Sequence, residues 1–305
     1  PIVIAIFEAV VAVIFVILGL IIAGYEVPFS LVLGAVAAAT APAATVMVIK
    51  QYKAKGPLTE TLLSVVALDD AVALIAFGFA VTVAKSIESP ASGSPLLSIL
   101  DPFIEIATAV VIGALLGAIF SFILRWFKSS SNRLILSIAF VFLSIALSTL
   151  LNVSSLMMCM SMGAILANVS STSDTIMKIT DSVTPPLFMI FFVISGAELQ
   201  LSVIPTIGLV GVIYVVLRVA GKMFGAWAGA ALMKAPETVR RWLGPTLVPQ
   251  AGVAIGLSLV AESVVPQYAS VIRAVVLCAT LIYEIIGPMV TKICLKKAGE
   301  ISADA

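Results

Sequence analysis

Residues 62–84 read LLSVVALDDAVALIAFGFAVTVA, and the adjacent pair Asp69 and Asp70 interrupts an otherwise apolar run long enough to cross a bilayer. One aspartate at the centre of a membrane costs about 2.5–3.5 kcal/mol by insertion scales, before relief from water or a partner. Two adjacent ones cost more. Such a pair is tolerable where a proton or a cation regularly occupies the site, so the run predicts a membrane helix that carries an exchange site.

The rest of the chain agrees with a membrane setting. Of 305 residues, 61% are hydrophobic and 11% charged, and the mean hydropathy is +1.22. A soluble domain carries about 25% charged residues. The apolar residues form runs of bilayer length separated by short polar breaks, which predicts an all-α polytopic membrane protein. They do not alternate with polar residues as barrel strands would. The net charge of +1 implies no nucleic-acid partner. The absence of histidine excludes a histidine relay or histidine metal site, and Cys159, Cys278 and Cys294 read as small packing residues.

Ten spans are expected, over residues 2–24, 29–50, 58–84, 103–127, 132–151, 154–169, 185–200, 205–233, 237–264 and 267–294. Residues 170–184, with Asp174, Lys178 and Asp181, read as a surface loop or short interfacial helix. Residues 86–101, with Pro90, Gly93 and Pro95, read as the longest ordinary loop. The basic residues support this count. Lys50, Lys53, Lys55, Arg125, Lys128, Arg133, Lys178, Lys234, Arg240, Arg241, Lys292, Lys296 and Lys297 all fall on one side, against Lys85 on the other. Basic loops stay in the cytoplasm, so both ends of the ten-span chain, the C-terminus included, are expected there.

Two spans are interrupted at mid-depth. The second contains Thr40-Ala41-Pro42. The ninth contains Gly244-Pro245 and then Pro249-Gln250-Ala251-Gly252. A proline removes a backbone donor, and a break inside the membrane is tolerated where its polar groups face protein or water. Broken helices in corresponding positions of two halves point to an inverted-repeat transporter site. Here spans one to three and eight to ten form two such triples of opposite orientation.

Charged residues in the spans complete the pattern. Lys222 lies near the middle of span eight, where a carboxylate must hold its charge, and Asp69 and Asp70 lie at matching depth. Arg218, one turn earlier, reads as a structural ion pair with Glu8 of span one or Glu284 of span ten. An intramembrane aspartyl protease also uses two aspartates, but adjacent residues on one helix point about 100° apart and cannot flank one scissile bond. A passive channel, a sodium-coupled solute symporter and a potassium/proton antiporter stand as further alternatives.

The runs ATAPAATVMV (39–48), ALDDAVAL (67–74), SGAEL (195–199), RVAGK (218–222) and LVPQAGVAIGL (247–257) resemble the bacterial monovalent cation–proton antiporters, and more closely their electrogenic sodium/proton branch. The resemblance covers essentially the whole chain. It implies the inverted-repeat antiporter fold with two crossed, broken helices, Ala41, Pro42, Pro249 and Gln250 marking the breaks. It implies Asp70 as the principal ion- and proton-binding carboxylate, Asp69 as the second, pairing with Lys222 when sodium is absent, and Thr40 as a further ligand. Residues 1–84 and 205–305 would be the two halves of a moving core, and 85–204 the dimerisation and scaffold helices. No cofactor is implied; sodium (or lithium or potassium) and protons are the cargo, in a homodimer in the inner membrane. Family members carry three more helices before span one, so the start at Pro1 leads to the expectation of missing N-terminal helices. The potassium-efflux relatives usually replace the first aspartate with a neutral residue, and Asp69 argues against them.

Overall fold

The computed structural model describes residues 1–88, 95–197 and 208–301. Among these there are twelve α-helices and no strand. Six helices are long and apolar enough to cross a membrane: Ile2–Ile22, Pro57–Ile87, Ile104–Ile123, Ser130–Leu151, Gly208–Leu232 and Pro266–Lys297. The chain is therefore an all-α, multi-pass membrane protein.

It divides into two compact units, Pro1–Ser89 with Glu198–Ala305, and Pro90–Ala197. The first unit holds α1 (Ile2–Ile22), α2 (Val27–Val36), α3 (Pro42–Tyr52), α4 (Pro57–Glu88), α9 (Gly208–Leu232), α10 (Glu237–Thr246), α11 (Gly252–Val264), a single 3-10 turn (Pro266–Tyr268) and α12 (Ala269–Lys297). The helices α2 and α10 have 10 residues each. At 1.5 Å per residue such a helix covers about 15 Å, half the hydrocarbon thickness. Each half-helix is continued by the next, α2 by α3 and α10 by α11, and the two breaks touch: Ala41 N donates to Pro249 O at 2.9 Å. Pro42 opens α3 at its first position, where a missing N–H costs nothing. Of the two proline positions expected to interrupt span nine, Pro249-Gln250 falls in the break and Gly244-Pro245 does not. Pro245 sits inside the last turn of α10, and the helix ends at Thr246.

A seam of glycines joins α9 to α1. A Cβ on Gly221 would lie 2.6 Å from Ala12 Cα, one on Gly225 2.5 Å from Phe7 O, and one on Gly229 2.9 Å from Ile4 Cα. Opposite them α1 presents Ala5, Ala9 and Ala12, all fully buried. Lipid is as apolar as leucine, so helices in a membrane associate through close packing of small residues. This spacing brings the two backbones close enough for short polar side chains to meet.

The second unit holds α5 (Pro95–Ile123), α6 (Ser130–Leu151), α7 (Ser155–Val169) and α8 (Ser173–Ala197). Its α6 exposes Ile135, Phe142 and Leu150 and buries Ser144 and Ser148, the reverse of a soluble helix. Leu116, Phe120, Leu124, Phe140, Met158 and Met162 form its core, with Phe120 and Phe140 stacked at 4.6 Å.

Two expectations for polar segments are resolved. Of the two readings of residues 170–184, loop or short helix, the helix is found, from Ser173 onward and as the first part of the longer α8: Ser170 and Thr172 start it (Thr172 N to Ser170 Oγ, 3.2 Å; Ile176 N to Thr172 O, 3.1 Å) and Ile176 is buried in the core. Pro185 and Pro186 then lie inside α8. Of residues 86–101, α4 takes those up to Glu88 and α5 starts at Pro95, again a proline in the first helical position. Pro90 and Gly93 lie outside the described residues, as do the ends of spans seven (to 200) and eight (from 205).

Gly225→Val should lower the melting temperature of the purified protein, as an overpacked site costing about 1–3 kcal/mol does. Gly211→Ala, with no atom within 4 Å of the added Cβ, should leave it unchanged. Equal melting curves for Gly225→Val and the parent would refute the seam.

Candidate functional site

The site is built around two cations one turn apart on α9. Arg218 and Lys222 are both 0% exposed. The Arg218 guanidinium reaches both breaks: Nε donates to Ala37 O at 3.1 Å, Nη2 to Ala39 O at 2.7 Å, and Nη1 to Val248 O at 2.7 Å. Its Cζ lies 4.6 Å from the centre of the Tyr283 ring, whose hydroxyl donates to Val215 O at 3.1 Å. These carbonyls follow the C-terminal ends of α2 and α10, where a helix leaves its last carbonyls unpaired and carries partial negative charge. A planar fork with five donors suits several oxygens at once.

This corrects the expected ion pair between Arg218 and Glu8 or Glu284. Backbone carbonyls hold the guanidinium, and Glu8 goes to the other cation. Lys222 Nζ lies 2.6 Å from Glu8 Oε2, 2.8 Å from Thr40 Oγ1, and 3.3 Å from each Asp69 oxygen, and it also donates to Ala38 O. The Glu8 approach is a close charge contact off the hydrogen-bonding direction, since neither Glu8 oxygen accepts a well-aligned bond. Glu8 and Asp69 also adjoin each other, and both are fully buried. Glu284, on α12, is half-buried and stands apart from the cluster, its Oε1 without a hydrogen-bond partner among the described residues.

Asp69 and Asp70 differ as their spacing requires. About 100° separates neighbouring side chains on a helix. Asp69 turns inward to Lys222. Asp70 is half-buried, and its Oδ1 is shielded from solvent without a hydrogen-bond partner among the described residues. Gln250 closes the second break: its Nε2 donates to Val36 O at 3.0 Å, and its amide and Tyr214 Oη lie 2.9 and 3.2 Å apart. Thr40, Ala41, Pro249 and Gln250 thus all sit where the two broken helices meet. Among the described residues no group of three or more Asp, Glu or Cys converges as a resident metal site would require.

Two acids, Glu8 and Asp69, therefore meet one ammonium beside two broken helices, with Asp70 next to Asp69 on the same helix. The family model for the transmembrane sodium/hydrogen exchangers matches residues 2–297. The chain belongs to the sodium/hydrogen exchanger family. It is accordingly a cation:proton antiporter, a transporter and not an enzyme. A comparison with individual curated proteins returned no match. Of the runs quoted above, Glu198 and Leu199 lie outside the described residues.

The pairing of Glu8 with Lys222 escaped the sequence reading. Its signal was present in Gly221, Gly225 and Gly229, spaced by four against alanines on α1, which sets the register of those two helices. The Arg218 contacts have no counterpart in sequence, because carbonyls carry no residue identity.

Replacing Arg218 by Met should destabilise the exchanger strongly, since each buried carbonyl left unpaired costs about 1–3 kcal/mol. Arg218→Lys should fall between, keeping the charge and losing the fork. Thermal denaturation in detergent measures both, and an Arg218→Met protein as stable as the parent would contradict the assignment.

Proposed function

We infer that this exchanger carries sodium or lithium in one direction and protons in the other, with Asp70 as the carboxylate that binds either. The observation that carries this reading is the buried Asp70 Oδ1 with no partner among the described residues, beside a cluster whose other acids already face Lys222. Sodium is a hard cation that takes oxygen ligands, and Asp70, Asp69 and the Thr40 hydroxyl supply them. A proton satisfies the same carboxylates, and acids in contact titrate as a coupled set. Cation and proton then compete for one site.

In the absence of cation, Lys222 neutralises Asp69 and holds the Thr40 hydroxyl. A cation entering between Asp70 and Asp69 displaces the ammonium from Asp69. Exchange is electrogenic if Lys222 or Asp69 releases a further proton in that step. The two halves 1–84 and 205–305 act as the moving core and 85–204 as the scaffold of a homodimer, with alternating access by motion of one against the other. The bilayer is the inner membrane, with the C-terminus in the cytoplasm, in keeping with the one-sided distribution of basic residues. A potassium/proton exchanger is the second reading. The aspartate at position 69 favours sodium, through the resemblance to the paired-aspartate branch.

Proteoliposomes loaded with a pH-sensitive dye test the site. Asp70→Asn should reduce cation-driven proton movement by about a hundredfold, because the amide neither takes up the proton nor supplies the negative charge that compensates a cation away from water. Full activity in Asp70→Asn would rule out the assignment. Titrating sodium against potassium, with the parent beside Asp69→Asn, separates the two cation readings: proton release driven by potassium alone would favour the second.

A further inference from the structure

The first turn of α4, the helix of Asp69 and Asp70, is held by a residue far along the chain. A helix leaves its first amides without partners. In α4 the first position is Pro57, which has no N–H, and Glu60 N bonds Gly56 O at 3.0 Å. The two amides between them, Leu58 N and Thr59 N, donate to Glu300 Oε1 at 2.6 Å and Oε2 at 2.7 Å, and the Thr59 hydroxyl donates to Oε2 at 2.6 Å. Lys55 N adds a bond to Glu300 O at 3.2 Å. The carboxylate sits where a Cβ on Gly56 would come within 2.5 Å of it, so glycine at 56 makes room for it. The chain turns back after α12 at Gly299 (φ +75°). Ile301 then packs into the cluster that includes Leu58, Leu62, Val239 and Leu243.

The same end of α12 holds two further elements of the site. Lys292 Nζ donates to Tyr52 Oη at 3.0 Å, at the end of α3, and Lys297 lies over the Trp242 ring of α10 at 5.2 Å. Residues 292–301 thus fasten α3 and α10, which flank the two breaks, together with α4. A negative group at a helix N-terminus also offsets the helix dipole. We propose that Glu300 is a positioning residue of the exchanger: as the cap of α4 it fixes where Asp69 and Asp70 stand relative to the breaks, and so sets the affinity of the ion site. This rests on the exchange reading above.

The test uses Thr59→Cys with Glu300→Cys in a protein whose Cys159, Cys278 and Cys294 are replaced by alanine. A short, reducible bis-methanethiosulfonate reagent bridges the pair. Unbridged, the apparent KM for the exchanged cation should rise about fivefold over the cysteine-free parent, the factor a typical helix cap supplies. Bridging should restore the parent KM, and reduction should raise it again. A parent KM in the unbridged pair overturns the proposal, as does transport that bridging stops or fails to restore. Hydrogen–deuterium exchange gives an arm independent of transport: Glu300→Ala should speed exchange from Leu58 towards Asp70, and unchanged exchange there overturns the proposal. A parent that moves no protons with any cation counts against the exchange reading alone.

Discussion

Two cations on one face of α9 hold the open ends of two broken helices, and the rest of the first unit is arranged around them. A break at membrane depth exposes carbonyls that lipid cannot satisfy. Arg218 takes three of them, from Ala37, Ala39 and Val248, and Lys222 takes Ala38. The positive charges offset the negative ends of α2 and α10, and those ends in turn make a buried guanidinium tolerable without a carboxylate. Remove the cations and the breaks lose their partners. Remove the breaks and the cations lose theirs. Gln250 and the Ala41–Pro249 bond add polar closure at the same place.

Packing and electrostatics depend on each other here. Lys222 needs acids close by, and in a membrane helices draw close through small residues. Gly221 and Gly225 flank Lys222 in sequence, and they let α1 approach until Glu8 lies 2.6 Å from the ammonium. A larger residue in the seam separates a charge pair as well as two backbones. The glycine spacing thus belongs to the site as much as Glu8 does.

The fold was legible to the extent that bilayer physics writes itself into composition. Apolar runs, prolines at mid-depth and an aspartate pair anticipated the helices, the division of α2 from α3 and of α10 from α11, and a family that the comparison then established. Pairings were legible only where side chains meet side chains of opposite sign. The partner chosen for Arg218 was wrong because backbone carbonyls do not appear in a sequence. Pro245 did not end α10 because a proline in a last turn removes one bond of a helix about to stop in any case. Residues 170–184 read as a loop or a short helix because Asp174, Lys178 and Asp181 are polar, and their polarity hid that the helix runs on into the next apolar stretch. Their spacing, with Ile176 turned to the core, is that of an amphipathic helix. The cap of α4 by Glu300 joins residues 242 apart in sequence, and no local pattern marks it.

The unequal surroundings of Asp69 and Asp70 bear on how one site can serve two cargoes. Asp69 is buried and already faces a cation of the protein's own, so under the proposed exchange an arriving ion competes with Lys222 for it. Asp70 is half-buried and has an oxygen to offer. If both were paired, an ion would find no free ligand. If neither were, two adjacent carboxylates at mid-membrane would stand uncompensated, at a cost of several kcal/mol. Glu8 bears on this balance too, because it keeps a carboxyl group 2.6 Å from Lys222 even while Asp69 is occupied. The proposed exchange therefore needs the ammonium only to move, not to be expelled. A helix turn of about 100° between neighbours is what lets one residue be held while the next stays available.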